Sequence, residues 1–259
     1  MLTQEVKEGV ATVTLARPEV HNAFDDSLIA TLTAALEAHA ADPAVRILVL
    51  AAKGKSFSAG ADLAWMQRMA RYGEAENLAD ARALARLMET LDRLPKPTVA
   101  RVQGAAYGGG VGLVACCDIA IGAPEARFML SEVKLGLIPA VISPYLVKAI
   151  GQQAARRYVL TAEPFGAETA ANLGLLHRVV PTDGLDRAVE ETLTALLRAG
   201  PAASAAAKDL VFAVDRPLDA ALIEETARRI AAIRATDEGR EGVAAFLDKR
   251  RPNWLAGDS

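Results

Sequence analysis

The sequence predicts an α/β core with a largely parallel sheet, followed by a helical region, and three observations predict it. Strand-like and helix-like stretches alternate up to about residue 143. "VRILVLAA" is a continuous apolar run of the kind that fills a strand buried on both faces. Beyond residue 143 helix follows helix, interrupted only by the short extended piece "LLHRVV". With 259 residues, 52% hydrophobic and 24% charged, the chain is long and apolar enough to bury a large core.

Taken in order, "EVKEGVATVTLARP" alternates on either side of Gly9 and reads as a β-hairpin ending at Pro18. A helix begins at Asp25 or Asp26, with Leu28, Ile29, Leu32 and Leu36 at helical spacing, and it stops near Asp42-Pro43. The strand "VRILVLAA" follows, then the loop "KGKSFSAGAD", a helix from Asp62, and a longer one from about Asn77 to Leu94. "TVARVQG" is a strand that leads into the glycine run "YGGGVGL" and a helix ending at Cys117. "DIAIGAP" and "ARFMLSE" are two further strands. The remaining helices are "YLVKAIGQQAARRYVLTA", "LDRAVEETLTALLRAG", "ASAAAKDLVFAV" and "DEGREGVAAFLDKRRP".

A net charge of −3 gives no basic excess to draw nucleic acid or an anionic membrane, so neither is expected as a partner. No stretch approaches the roughly 18 uninterrupted apolar residues of a membrane span, and "MLTQEVKEGV" is no secretory leader. A cytoplasmic protein is expected. Cys116 and Cys117 are adjacent in an apolar run and read as core residues. His21, His39 and His177 share no ligand spacing, so no metal site is expected.

Two glycine-containing loops, "SFSAGADL" and "GAAYGGGVGL", each follow a predicted buried strand and each open a helix. Both therefore belong at the carboxyl edge of the sheet, where ligands bind in such folds. The first N–H groups of a helix have no intrahelical partner and can point at a developing oxyanion. One from each loop would make a two-donor hole for a carbonyl, with glycine clearing the space any Cβ would take.

"FSAGADL", followed by "KPTVARVQGAAYGGGVGLVACCDIAIG" and then "SEVKLGLIP", resembles the enoyl-CoA hydratase/isomerase, or crotonase, family over nearly the whole chain. "FSAGADLAWM", "LSEVKLGLIPAVISPYLVKAIG" and "AARRYVLTAE" look most like the subgroup of methylglutaconyl-CoA and carboxygeranoyl-CoA hydratases. The resemblance implies a spiral of β-β-α units over residues 1–199, a helical trimerisation region over 200–259, and a homotrimer or dimer of trimers. It implies an α,β-unsaturated acyl-CoA substrate with coenzyme A as part of that substrate, and no separate cofactor. It places the oxyanion-hole amides at Ala61 and Gly109, and an acid/base carboxylate at Glu132. It also puts the adenine beside Ser58, Ala59, Ala61, Asp62 and Leu63, with Tyr107 and Gly108 bordering the substrate. Arg17, Lys55 and Lys249, the last from this or a neighbouring subunit, are candidates to meet the phosphates.

The family's hydratases carry a second glutamate three residues beyond Gly109, and here that position is Gly112. Loss of that side chain is expected to leave space and an unfilled role, which a substrate carboxylate anchored by Lys134, Arg68 or Arg71 would fill. Glu132 is expected against Val133, Leu135 and the acyl chain, where desolvation raises its pKa. After Pro139 the chain has Ala140, Val141 and Ile142 where hydratases usually carry glycines, so the acyl pocket is expected to differ. Three alternatives stay open. A double-bond isomerase would use Glu132 alone. A non-catalytic CoA-binding relative would account for the missing glutamate. A dinucleotide enzyme would use Gly110 to Ala115, which matches G-x-G-x-x-A.

Overall fold

The computed structural model describes residues 1–255. β1 (Leu2–Lys7) and β2 (Val10–Leu15) form the expected hairpin, turning through Glu8 and Gly9 at positive φ. α1 (Asp26–Ala41) starts where the sequence places it, because the Asp25 carboxylate accepts from the Leu28 N–H at 2.7 Å. β3 (Ile47–Ala52), β4 (Ser56–Ser58), α2 (Leu63–Met69) and α3 (Glu74–Asp92) make the first β-β-α unit. β5 (Thr98–Val102), β6 (Ala105–Tyr107) and α4 (Gly109–Cys116) make the second. β7 (Ile119–Gly122), β8 (Arg127–Met129) and α5 (Ser143–Thr161) make the third, with a 3-10 turn at Glu132–Leu135. β9 (Phe165–Gly166), α6 (Ala167–Leu173), β10 (Arg178–Val179) and α7 (Leu185–Leu197) follow, and α8 (Pro201–Ala213), α9 (Ala220–Ala235) and α10 (Asp237–Leu247) complete the described chain.

The first strand of each unit joins one sheet and the second joins another. The larger sheet runs β1-β2-β3-β5-β7-β10 and is parallel after its opening hairpin. The smaller runs β4-β6-β8-β9 and is parallel except for β8-β9. β4 and β6 depart from expectation: each is three residues long, too short to carry a period, and lies within a stretch read as loop or glycine run. α3 also begins earlier than expected, at Glu74, because the Glu76 carboxylate accepts from the Gly73 N–H.

β3 shows why its sequence is apolar throughout. Leu48 and Leu50 face a core shared with Leu28, Leu32 and Leu36 of α1, whereas Ile47 and Val49 face Val99, Ile121 and Leu185 on the side covered by α7. α8 is tied to this body through Lys208, whose ammonium donates to Asp118 Oδ2 at 2.8 Å. Asp118 also accepts from the N–H and hydroxyl of Thr98. The last three helices bury little of their own: α9 buries Leu222 and α10 buries Ala245, while Ile223, Phe246 and Leu247, and Leu218 just before α9, are exposed.

The two sheets meet closely where β5 turns into β6. A Cβ on Gly104 would lie 1.9 Å from the Lys55 carbonyl oxygen, and backbone on both sides leaves no flexible end to move. Gly104→Ala should therefore destabilise the fold by about 2 to 3 kcal/mol through overpacking. Gly184→Ala, whose new methyl would meet nothing nearer than 4.0 Å, should change little. Chemical denaturation of both variants checks the contrast.

Candidate active site

The two glycine loops arrive at one place. Gly60, at φ +86, stands where a Cβ would lie 3.0 Å from the Tyr107 carbonyl oxygen and 3.8 Å from Gly108 Cα, so the loops touch backbone to backbone. The first loop is fixed from outside by Phe24, whose N–H donates to Gly60 O and whose carbonyl accepts from the Asp62 N–H. Ser58, buried beneath, donates its hydroxyl to Asn22 O and accepts from the Gly60 N–H. The second loop is held by the Gly108 N–H donating to Met129 O. Among the described residues, the N–H groups of Ala61 and Gly109 find no acceptor in the protein. Gly109 opens α4, so its free donor sits at the positive end of a helix.

Glu132 is delivered to the same spot by the 3-10 turn after β8. A Cβ on Gly108 would lie 2.9 Å from Glu132 Oε1 and 4.0 Å from Gly60 Cα, so glycine at this residue, which is at φ +48, lets carboxylate and both loops converge. Glu132 Oε2 is buried without a hydrogen-bond partner. Burial pushes the Glu132 pKa up, opposed only by its own backbone N–H. An unpartnered, desolvated carboxylate oxygen is costly, and it fits a group that completes its bonding with substrate or water. Leu135 is not part of this desolvation as expected: it is exposed, and Oε1 instead rests against the Gly108 turn.

The expectation of free space at Gly112 is overturned. A Cβ there would lie 2.3 Å from Ile142 Cγ2, 3.0 Å from Ile142 Cβ and 3.2 Å from Met88 Cε. The volume of the missing glutamate is filled by an isoleucine that is 2% exposed. Sequence reasoning noted Ile142 as a departure in the pocket loop but could not place it over Gly112, because the contact joins α4 to the start of α5.

Arg17 is already engaged. Its guanidinium bonds Asp25 Oδ2 at 2.7 Å, Asp62 Oδ2 at 3.3 Å and the Ala23 carbonyl, clamping the α1 and α2 caps beside the first loop. Asp62 itself caps α2 by accepting from the Ala64 and Trp65 N–H groups. Ala59 is half-buried, with its N–H donating to His21 O, while Ala61 and Leu63 are exposed at the rim of the loop. Tyr107 is half-buried in β6 beside Gly108. Lys55 and Lys249 are exposed with no side-chain partner among the described residues. Of the candidate anchors, Arg68 is paired with Asp26 at 2.6 Å, whereas Arg71 and Lys134 are exposed and unpaired among the described residues. Glu163 is a surface group paired with Arg157. No described helix is long and apolar enough to cross a membrane.

The residues therefore bring together two amide donors without an acceptor, which can hold a carbonyl oxygen, and one desolvated carboxylate, which can exchange a proton, while Ile142 and Met88 pack over Gly112 one turn further along α4. A crystal structure of an enoyl-CoA hydratase from Shewanella pealeana superposes with a TM-score of 0.95 at 49% identity, covering 98% of this chain and 95% of that one. The 2,3-dehydroadipyl-CoA hydratase of Escherichia coli K12 is 33% identical over 96% of both chains. The trans-2-decenoyl-[acyl-carrier-protein] isomerase of Streptococcus mutans is 31% identical over 96% of this chain and 95% of its own. The family model described as enoyl-CoA hydratase/isomerase matches residues 5–257. With its β-β-α spiral, its paired amide donors and its single carboxylate, the chain belongs to the enoyl-CoA hydratase/isomerase family.

Proposed function

We propose that the protein hydrates a carboxylated, branched enoyl-CoA of the methylglutaconyl-CoA type, with Glu132 as its only acid/base group. The observation that carries this reading is the unpartnered, desolvated Glu132 carboxylate beside the free N–H groups of Ala61 and Gly109. The thioester oxygen sits between those two donors, each typically worth about 3 to 4 kcal/mol once charge develops on it. Glu132, ionised, accepts a proton from water; the water oxygen bonds to C3, and the C2=C3 pair moves onto the thioester as an enolate. The enolate collapses, C2 takes the proton back from Glu132, and the carboxylate is regenerated. Water is consumed, nothing is oxidised, and no further cofactor is called for.

The carboxylated substrate is supported by three things: the resemblance of the sequence to that subgroup, the name of the Escherichia coli relative, and the unpaired cations Arg71 and Lys134. The exposed Ala61 and Leu63 would border the adenine, and Lys55 or Lys249 would meet the phosphates. The exposed apolar residues of α9 and α10 suit these helices to a homotrimer or a dimer of trimers. A second reading, a double-bond isomerase, is favoured by the apolar filling at Gly112, since returning a proton to another carbon needs one carboxylate and no water.

Glu132→Gln should lower turnover at least 1,000-fold, about 4 kcal/mol in the barrier, while changing acyl-CoA binding only a few fold. Steady-state assay with parallel calorimetric titration checks it, and near-normal turnover would remove Glu132 from the chemistry.

The pH dependence follows from the direction of the Glu132 shift. The ionised form takes the proton, so kcat/KM should fall as pH drops through the raised pKa, an acid limb lying above the 4.5 of an ordinary glutamate. Stability runs the other way: the folded state holds this proton more tightly than the unfolded chain, so Glu132 weakens the fold as pH rises through that interval. Glu132→Gln should therefore melt no lower than the parent at pH 7.5.

Hydration of a carboxylated enoyl-CoA should exceed that of crotonyl-CoA by roughly 100-fold in kcat/KM, about 2.7 kcal/mol. Conversion of the distal carboxylate to its amide should erase most of the preference. Equal values for acid, amide and crotonyl-CoA would refute the substrate class, and a shifted double bond without added water would establish the isomerase.

A further inference from the structure

We propose that Ile142 is the specificity-determining residue of this site: it occupies the volume of a second carboxylate and makes the wall over Gly112 apolar, so that only a substrate bringing its own polar group is hydrated well. This deepens the reading given above and rests on it.

Three features of Ile142 carry the proposal. It is fully built into the core, with its γ2 methyl 2.3 Å and its Cβ 3.0 Å from where a Gly112 side chain would begin. It is also held by its backbone. Ile142 caps α5, its carbonyl accepts from the Leu146 N–H, and the loop leading to it is closed by the Ser143 N–H donating to Pro139 O and the Ser143 hydroxyl donating to Ala140 O. Being β-branched, it has few χ1 alternatives by which to step aside. The same segment runs from Glu132 through the 3-10 turn to Ile142, so one stretch of chain supplies the carboxylate and shuts out its counterpart.

Met88 completes the wall. Its methyl would lie 3.2 Å from a Gly112 Cβ, and its sulfur accepts from the Cys116 thiol on the next turn of α4. Around Gly112, therefore, the nearest side-chain atoms among the described residues are the apolar ones of Ile142 and the Met88 methyl, and neither offers a donor or acceptor to orient water. A water molecule there needs at least two polar partners to be held. Glu132 can supply one, and a carboxylate on the substrate would supply the other.

The test uses the protein with two exchanges. Gly112→Glu alone should be overpacked, lowering Tm by roughly 3 to 8 °C without improving crotonyl-CoA hydration. Because the Ile142 Cβ is itself too close, the compensating change is Ile142→Gly. The double variant Gly112→Glu/Ile142→Gly should recover Tm relative to Gly112→Glu and raise kcat/KM for crotonyl-CoA roughly tenfold or more, shrinking the preference for the carboxylated substrate. The role of Ile142 is overturned if Gly112→Glu alone folds at the parental Tm and gains crotonyl-CoA activity. It is equally overturned if the folded double variant keeps the parental preference unchanged. The underlying reading fails separately: it falls if Glu132→Gln retains turnover, whatever the Tm order of the Gly112 and Ile142 variants.

Discussion

The rest of the structure depends on two stretches of backbone touching without side chains between them. Gly60 and the Tyr107–Gly108 turn come from consecutive β-β-α units, and their contact sets the Ala61 and Gly109 N–H groups, each without an acceptor among the described residues, on adjoining turns of backbone. Everything around this contact serves to hold it. β4 and β6 pair directly beneath the loops, Phe24 bridges to Gly60 and Asp62 from outside, and Arg17 ties the caps of α1 and α2 together through Asp25 and Asp62. Donors fixed in this way need no rearrangement when charge appears on a carbonyl oxygen, which is where such preorganisation acts.

The carboxylate is treated in the opposite manner. The amide donors are left open for an anion, whereas Glu132 is brought into partial burial with one oxygen lacking any partner. A resting group in that condition is less stable than a solvated one, and the fold tolerates it because the Gly108 turn leaves room for it and the 3-10 turn fixes its backbone. The site thus pairs a stabilised acceptor for negative charge with a destabilised holder of it.

Much of this was legible in the sequence, and the remainder was hidden for physical reasons. The hairpin, the start of α1 at Asp25 or Asp26, the two-sided burial of β3 and the convergence of the two glycine loops with Glu132 all follow from local patterns and from family motifs. β4 and β6 escaped notice because three residues cannot display a period, although they register the loops against each other. Arg17 looked like a phosphate ligand because its two carboxylate partners are separated from it in sequence, one of them by 45 residues. The reading of Gly112 as empty space failed for the same reason. A missing side chain can be read from one residue, but what fills its place comes from a different helix.

The adjacent cysteines at the end of α4 have a practical consequence. Both are buried in the core, and desolvation pushes the Cys117 thiol up to about 12 and the Cys116 thiol also well above the ordinary range. In the closed fold neither offers a thiolate to a reagent, since the thiolate is the reactive species. They lie on the helix whose first residue supplies one of the two amide donors, at its other end. The rate at which a thiol reagent modifies the native protein is therefore a clock for the opening of α4. It reports, without substrate or catalysis, how often the helix that begins at Gly109 comes apart.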